Sequence, residues 1–300
     1  IPSNTLGRKY DYDKMLMNYS NGFTNEQGDA VAALMKDMGT SIKMMYHPNG
    51  SGAYTTDVVN AFITYYGYAK DIKLVYGAGL STEEWNDTIR ENIRNYGPTF
   101  FSGVGGRGGH AFVVDGFDEG DKFHFNLGWS GSGNGYWRIP EIEFYREQGI
   151  ITGLRPDRDG TTVYRDNLYL YAYDPYAGIA PQKVTSYTTG TTFKCLLGCF
   201  ANFGAYTFNG EVKLVLCDRN GNWKEELSTF NFTIEPDTLS YPKNYSNITI
   251  TKPLEEGDRM RIYYKANNYD EWQWARSFDE SAIDEVLVKC SPEDMAEGFY

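Results

Sequence analysis

The apolar positions of this chain follow two periodicities, and the change falls near residue 98. Val31, Leu34, Met35 and Met38 recur at i, i+3, i+4 and i+7, and Thr24 with Gln27 makes a capping box. A helix is therefore expected over 24–38, stopped by Gly39. Val58, Val59, Phe62, Ile63 and Tyr66 form a second stripe between a cap at Thr55 or Thr56 and a stop at Gly67. A third helix opens at Ser81 with Glu84 three residues on, carries Trp85, Ile89 and Ile93, and closes at Gly97-Pro98. Three helices are thus expected before any strong strand.

Beyond Pro98 come short β-rich runs at 99–102, 110–117, 122–127 and 136–139, divided by glycine-dense turns. Helices followed by an antiparallel sheet make an α+β unit. The charged, turn-rich stretch Asp157-Arg158-Asp159-Gly160 reads as a linker, which divides the chain into 1–158 and 159–300. In the second part strand-like runs recur at 167–173, 184–187, 193–200, 211–217, 224–234, 246–251 and 259–265, and a helix is considered only at 279–286. Asn220-Gly221 predicts a hairpin with a type I′ turn. Seven short strands of this kind predict an all-β, Ig-like sandwich.

Composition narrows the partners. With 28 basic against 40 acidic residues the net charge is −12, and no Lys/Arg stripe faces a phosphate backbone, so nucleic acid is disfavoured. No apolar run approaches the ~20 residues of a membrane-spanning helix. A chain rich in Tyr, Asn and Gly and poor in Lys suits a secreted or cell-surface protein. The chain opens Ile1-Pro2-Ser3, with neither an initiator Met nor a signal-peptide pattern, and is expected to be a processed or excised piece of a longer product. Cys195, Cys199, Cys217 and Cys290 have no Cys-x-x-Cys spacing and no nearby His, so burial or a disulfide is expected and neither a metal nor a cofactor is implied.

Candidate chemistry concentrates in Gly103-Val104-Gly105-Gly106-Arg107-Gly108-Gly109-His110, which runs into the apolar strand Ala111–Gly116. A glycine loop that admits a ligand to the backbone, with a histidine opening a strand, suits a general base. No helix N-terminus follows, so this is not a phosphate loop. Sixteen residues on, Asn126-Leu127-Gly128-Trp129 is placed to bring a side-chain amide or a backbone carbonyl against the His110 ring and fix its tautomer. Asn126 shares a strand face with His124 and borders the turn at Gly128. For His124 a structural role is expected, for His47 a turn or cleft-rim position, and for Asp115 a solvated turn carboxylate. Asp118, Glu119 and Asp121 read as a hairpin tip rather than a calcium loop.

Three stretches resemble the streptopain family of secreted bacterial cysteine peptidases, a papain-like group: Tyr10–Asp13 with the helix over 30–39, Tyr46–Gly52, and Gly108–Gly116 through Asn126–Trp129. The resemblance runs from about residue 8 to 156. It implies a papain-like half-domain of helices and antiparallel sheet in which His110 is the general base. It further implies that Gly108, Gly109 and the turn carrying Ser51 and Gly52 contact the substrate backbone, and that Trp129 walls the histidine, with Asn126 beside it. Two departures matter. The family's Asn-Trp-Gly-Trp reads Asn-Leu-Gly-Trp here, and no cysteine lies in residues 1–194, where the nucleophile would belong on a helix preceding all of these motifs. The resemblance therefore implies the C-terminal part of a cysteine endopeptidase acting on protein or peptide, followed by the sandwich. The thiol is expected on an upstream segment or a companion N-terminal fragment, and the alternative is a parent that has lost it and binds peptide or glycan without catalysis.

Overall fold

A computed structural model describes residues 6–172, 178–182, 189–240, 246–267, 270–279, 281–290 and 297–299. The expected run at 184–187 lies outside them. Local capping sets all three helices. Thr24 and Gln27 bond reciprocally at the start of α1 (Asn25–Ser41), and Ser81 and Glu84 do the same for α3 (Thr82–Tyr96), while α2 (Thr55–Tyr66) ends on Gly67 at φ +67°. Gly39 does not stop α1. It lies inside the helix, where a Cβ would meet the Tyr46 hydroxyl at 1.9 Å. The apolar stripe of α1 is less covered than its spacing suggests: Val31, Leu34 and Met38 are half-buried and Met35 is 67% exposed. The helix buries Asp37 instead, which pairs with Arg8 at 2.7 Å and accepts from the Tyr10 hydroxyl at 3.0 Å.

One strand precedes α3, against expectation. β1 (Lys73–Tyr76) joins β2 (Thr99–Gly105), β3 (Gly108–Phe117), β4 (Phe123–Asn126), β5 (Gly135–Trp137) and β6 (Arg146–Thr152) in an antiparallel sheet of order β1-β6-β2-β3-β4-β5. Trp85 and Ile89 of α3 pack on Phe101, Phe112, Val114, Phe123, Phe125 and Ile150 of that sheet. Gln148 meets the polar edge of this core, accepting from Trp85 Nε1 at 3.2 Å and donating to the Phe144 carbonyl at 2.9 Å.

The remaining strands are β7 (Leu168–Tyr171), β8 (Ile179–Pro181), β9 (Thr192–Leu197), β10 (Cys199–Asn202), β11 (Phe208–Cys217), β12 (Trp223–Ile234) and β13 (Thr238–Ser240). They continue with β14 (Ser246–Thr249), β15 (Arg259–Ala266), β16 (Gln273–Trp274), β17 (Glu285–Cys290) and β18 (Glu297–Phe299). They form ladders β13-β10-β7, β14-β9-β8 and β12-β11-β15-β17-β18 that close on one apolar cluster including Leu170, Phe200, Phe208, Leu214 and Ile262. No described residue of 279–286 is helical; Ala282 is buried and β17 begins at Glu285. The Asn220-Gly221 hairpin forms, but only Gly221 has positive φ, +87°, and its N–H bonds the Asp218 carbonyl at 2.9 Å. That is a type I turn with a glycine bulge rather than type I′, a three-residue loop held by Asp218 Oδ1, which accepts the N–H groups of Asn220 and Asn222.

A third cluster spans the two parts of the chain. Val58, Val59, Ile72, Leu74, Tyr76 and Ile151 pack with Tyr169, and Phe203 and Phe278 cover them. Asn167 Nδ2 donates to the Leu74 carbonyl at 2.8 Å, Thr56 Oγ1 to Asp237 Oδ1 at 2.9 Å, and Lys73 Nζ to Gln273 Oε1 at 2.8 Å. Among the described residues no helix is long and apolar enough to cross a membrane.

Burial at this seam pushes the Lys73 ammonium down to about 8. The unfolded chain keeps that proton up to about 10.4, so between the two values the folded state gains relative stability as pH rises. Lys73→Met removes the dependence. Its melting temperature relative to wild type is expected to fall by a few degrees between pH 7 and pH 10. Differential scanning calorimetry of both proteins checks this, and a pH-independent gap would contradict a buried, depressed Lys73.

Candidate active site

His110 stands on β3, in the β2–β3 hairpin, whose register pairs Gly103 with His110, Val104 with Gly109 and Gly105 with Gly108. Two glycines of the run, Gly103 and Gly105, are explained by the chain's own backbone. A Cβ at Gly103 would lie 2.6 Å from the Phe144 carbonyl oxygen, and one at Gly105 the same distance from that of Glu143, so the segment before β6 packs directly on the hairpin. Gly106 and Gly108 face open space, and Gly108 turns the tip at φ +116°. Arg107 at that tip holds Glu143 through two hydrogen bonds of 2.9 Å.

The His110 ring continues the buried face of Phe112 and Val114. It stacks on Trp129 with centroids 4.7 Å apart and planes at 24°, and Phe144 and Phe112 flank it at 5.1 and 5.5 Å. Nε2 lies 2.9 Å from the Leu127 carbonyl oxygen. A carbonyl only accepts, so the contact assigns the proton to Nε2 and leaves Nδ1 as the basic nitrogen of the neutral ring. The bond comes from a turn. Asn126 Oδ1 accepts from the Gly128 N–H at 3.1 Å, the Leu127 N–H donates to Asn134 Oδ1 at 2.9 Å, and Gly128 adopts φ +75°. Asn126 thus shapes the turn and has no direct bond to the ring. Leu127, where the motif departs, packs its side chain against the α3 core and uses only its carbonyl at the histidine.

Two cavities meet at His110. The larger, about 780 Å³, is bordered by Ser51, Gly52, Gly109 and His110, and the smaller, about 370 Å³, by Gly108, Gly109, His110 and Trp129. Of the expected site residues only Asn126 lines neither. Ser51 and Gly52 are brought there by paired backbone bonds of 2.8 and 3.2 Å between Met45 and Gly52. His47 is exposed and lines neither cavity; its Nδ1 accepts the Asn49 N–H. Asp115 is exposed, as expected, but lies within β3 rather than in a turn, and its Oδ1 is 2.5 Å from His124 Nδ1 across β3 and β4. Asp118 accepts the N–H groups of Gly120 and Lys122, and these bonds hold its carboxyl below the usual range. No metal-holding group of His, Cys, Asp and Glu occurs among the described residues.

Cys195, Cys199 and Cys217 are free, buried in the strand-rich half and line neither cavity. Burial pushes the thiols of Cys195 and Cys199 up to about 12 and about 11 and raises that of Cys217, the reverse of what a nucleophile needs. Sequence reasoning missed the far wall of the larger cavity, where Tyr171, Phe203, Asp237 and Phe278 arrive from the second half. No local motif marks them, since only tertiary packing brings them there.

Comparison with known proteins adds family context. Residues 2–137 match the sequence model of the Peptidase C10 family. The thiol protease/hemagglutinin PrtT of Porphyromonas gingivalis is 35% identical over 166 residues, covering 51% of this chain and 19% of that protein. Streptopain of Streptococcus pyogenes serotype M1 is 30% identical over 161 residues, covering 50% of this chain and 40% of that protein. The chain therefore spans less than half the length of these curated relatives. The structure of active wild-type Prevotella intermedia interpain A cysteine protease is 32% identical over 53% of this chain and 65% of that one, with a TM-score of 0.45.

The role of Asn126 is testable by melting. Asn126→Ala removes the acceptor for the Gly128 N–H and is expected to cost about 1 kcal/mol, whereas Asn126→Asp keeps an acceptor and recovers most of it. Equal losses in the two variants would show that the amide acts through its N–H₂ group instead.

Proposed function

We infer, from the premise that residues 2–137 belong to the Peptidase C10 family of streptopain-like cysteine peptidases, that this chain carries the histidine side of a peptide-hydrolysing site. The observation that carries the reading is the His110 ring, tied to the Leu127 carbonyl through Nε2 and stacked on Trp129 where two cavities meet. Such a ring is held in one tautomer and one orientation, which is what proton transfer to and from Nδ1 requires.

In the proposed reaction a thiolate attacks the peptide carbonyl carbon, forming a C–S bond while the carbonyl oxygen takes the negative charge. Collapse breaks the C–N bond, and the proton held by the imidazolium at Nδ1 leaves with the amine. Water then attacks the thioester, giving its proton to Nδ1 and releasing the acid and the thiolate. Backbone groups at Ser51, Gly52, Gly108 and Gly109 hold the substrate chain, and Trp129 shields the histidine from water. Asn126 supports the turn that presents the Leu127 carbonyl. Because Cys195, Cys199 and Cys217 are buried away from His110 and their thiols are raised, the thiol is proposed to come from none of these three but from a preceding segment or a companion fragment. The further proposals are secretion, a division at about residue 158, and an Ig-like sandwich beyond it. The same cysteine placement favours, as the second reading, a chain that binds peptides without cleaving them.

The purified chain is expected to show no hydrolysis sensitive to thiol alkylation. Co-expressed with the cysteine-bearing segment of a streptopain-type peptidase it is expected to gain such activity, and His110→Ala then lowers kcat/KM by at least about 10²–10⁴-fold. His47→Ala and His124→Ala retain it. Alkylator-sensitive hydrolysis by the chain alone, or full activity of His110→Ala, would overturn the assignment.

A further inference from the structure

The larger cavity beside His110 is bordered by both halves of the chain, and its wall is chemically lopsided. The strand-rich half contributes Tyr171, Phe203 and Phe278, three aromatic rings, and one carboxylate, Asp237. The α+β half adds a second carboxylate, Glu147, and among the described residues neither lysine nor arginine borders the cavity. Lys43, whose charge interacts with Asp237, is paired with Asp57 at 2.6 Å. Tyr76 also borders the cavity and feels the charge of both acids.

Both carboxylates sit where the backbone is strained. Glu147 has φ +49° and Asp237 φ +53°, a left-handed region that costs a residue with a Cβ about 1 kcal/mol or more. Neither is forced there by burial, since both side chains are exposed. Asp237 is further oriented by the hydroxyl of Thr56 on α2, 2.9 Å from Oδ1, so the acid of one half is fixed by the other. Each conformation has a local cause, since Glu147 lies in the irregular register between β6 and β2 and Asp237 in the turn between β12 and β13, and both place a carboxylate on the wall of the same cavity.

We propose that this cavity is a specificity pocket for a lysine or arginine side chain of the bound peptide, with Asp237 and Glu147 as its specificity-determining residues. The aliphatic stem lies along Phe203 and Phe278, which bury its methylenes, and the cationic head reaches the two carboxylates. The strand-rich half is then part of substrate recognition rather than an appended module. The proposal rests on the peptide-binding reading of the His110 site and names which peptides it selects.

The test is binding, which needs no nucleophile. Fluorescein-labelled octapeptides, identical except for lysine, arginine, norleucine or glutamate placed at each position in turn, are titrated with the full 300-residue chain by fluorescence anisotropy. At one position lysine and arginine are expected to bind about tenfold tighter than norleucine, the size of one charge-assisted contact at a solvated site, and glutamate weakest. Asp237→Asn and Glu147→Gln each reduce that preference several-fold while norleucine peptides bind as before. Glu91→Gln, on the exposed surface of α3, preserves it and so separates the pocket from the general pull of a net charge of −12. Equal affinity for lysine and norleucine peptides, or a preference that survives both variants, overturns the pocket and leaves the peptide-binding reading standing. Failure to bind any peptide overturns both.

Discussion

Because the Leu127 carbonyl stands 2.9 Å from His110 Nε2, one backbone oxygen decides which nitrogen of the ring is basic. Much of the surrounding architecture serves that contact. The β3–β4 ladder brings residue 126 opposite Val113, Gly128 turns the chain, and Asn126 and Asn134 fix the peptide planes on either side of Leu127. Phe144 reaches the ring only because Gly103 and Gly105 let the strand leading into β6 lie against the hairpin. A side chain at either glycine would press that segment away and open the aromatic cage. The geometry is over-determined by packing, which keeps the ring from wandering between tautomers and rotamers, as the proposed proton transfer requires.

The two parts of the chain are less separate than a linker at 157–160 suggests. Each has an apolar cluster of its own, yet a third is shared, with Tyr76 surrounded by Tyr169, Phe203 and Phe278. Buried bonds such as Asn167 to the Leu74 carbonyl satisfy backbone groups at the seam that would otherwise lose their water. Burial also explains the ionisable groups. Lys73 is pushed down where it enters the seam, and the thiols of Cys195, Cys199 and Cys217 are pushed up in the strand-rich half, where they serve as small apolar side chains.

What the sequence made legible is what local chemistry determines. The Thr24/Gln27 and Ser81/Glu84 boxes and the Gly67 stop are short-range devices, and they placed the helix ends to within a few residues. The histidine strand, Trp129 and the Ser51-Gly52 turn were legible as a motif. β1 and β6 were not, because β1 is four residues long and β6 begins on Arg146-Glu147-Gln148, which carries no apolar alternation. Gly39 looked like a stop and Gly103 and Gly105 like part of a ligand-admitting loop; instead Gly39 makes room for the nearby Tyr46 side chain, and Gly103 and Gly105 for the backbone of Phe144 and Glu143. The acceptor for His110 was open between an amide and a carbonyl, and backbone carbonyls leave no trace in residue identity. Nor could pattern place Phe203, Asp237 and Phe278 beside His110, since that proximity exists only after both parts have folded together.

The central claim is that His110 is held with its proton on Nε2 and its lone pair on Nδ1. Long-range ¹H–¹⁵N correlation spectra of the full chain, assigned with His47→Ala and His124→Ala, report directly which imidazole nitrogen carries the proton at a pH where the ring is neutral. The account predicts a single Nε2–H tautomer for His110, with its Nδ1 resonating as an unprotonated nitrogen, against an Nδ1–H form for His124, whose Nδ1 faces the Asp115 carboxylate. An Nδ1–H tautomer at His110, or a rapid average of both forms, would mean that the Leu127 carbonyl does not hold the ring, and the proposed base would lose its structural foundation.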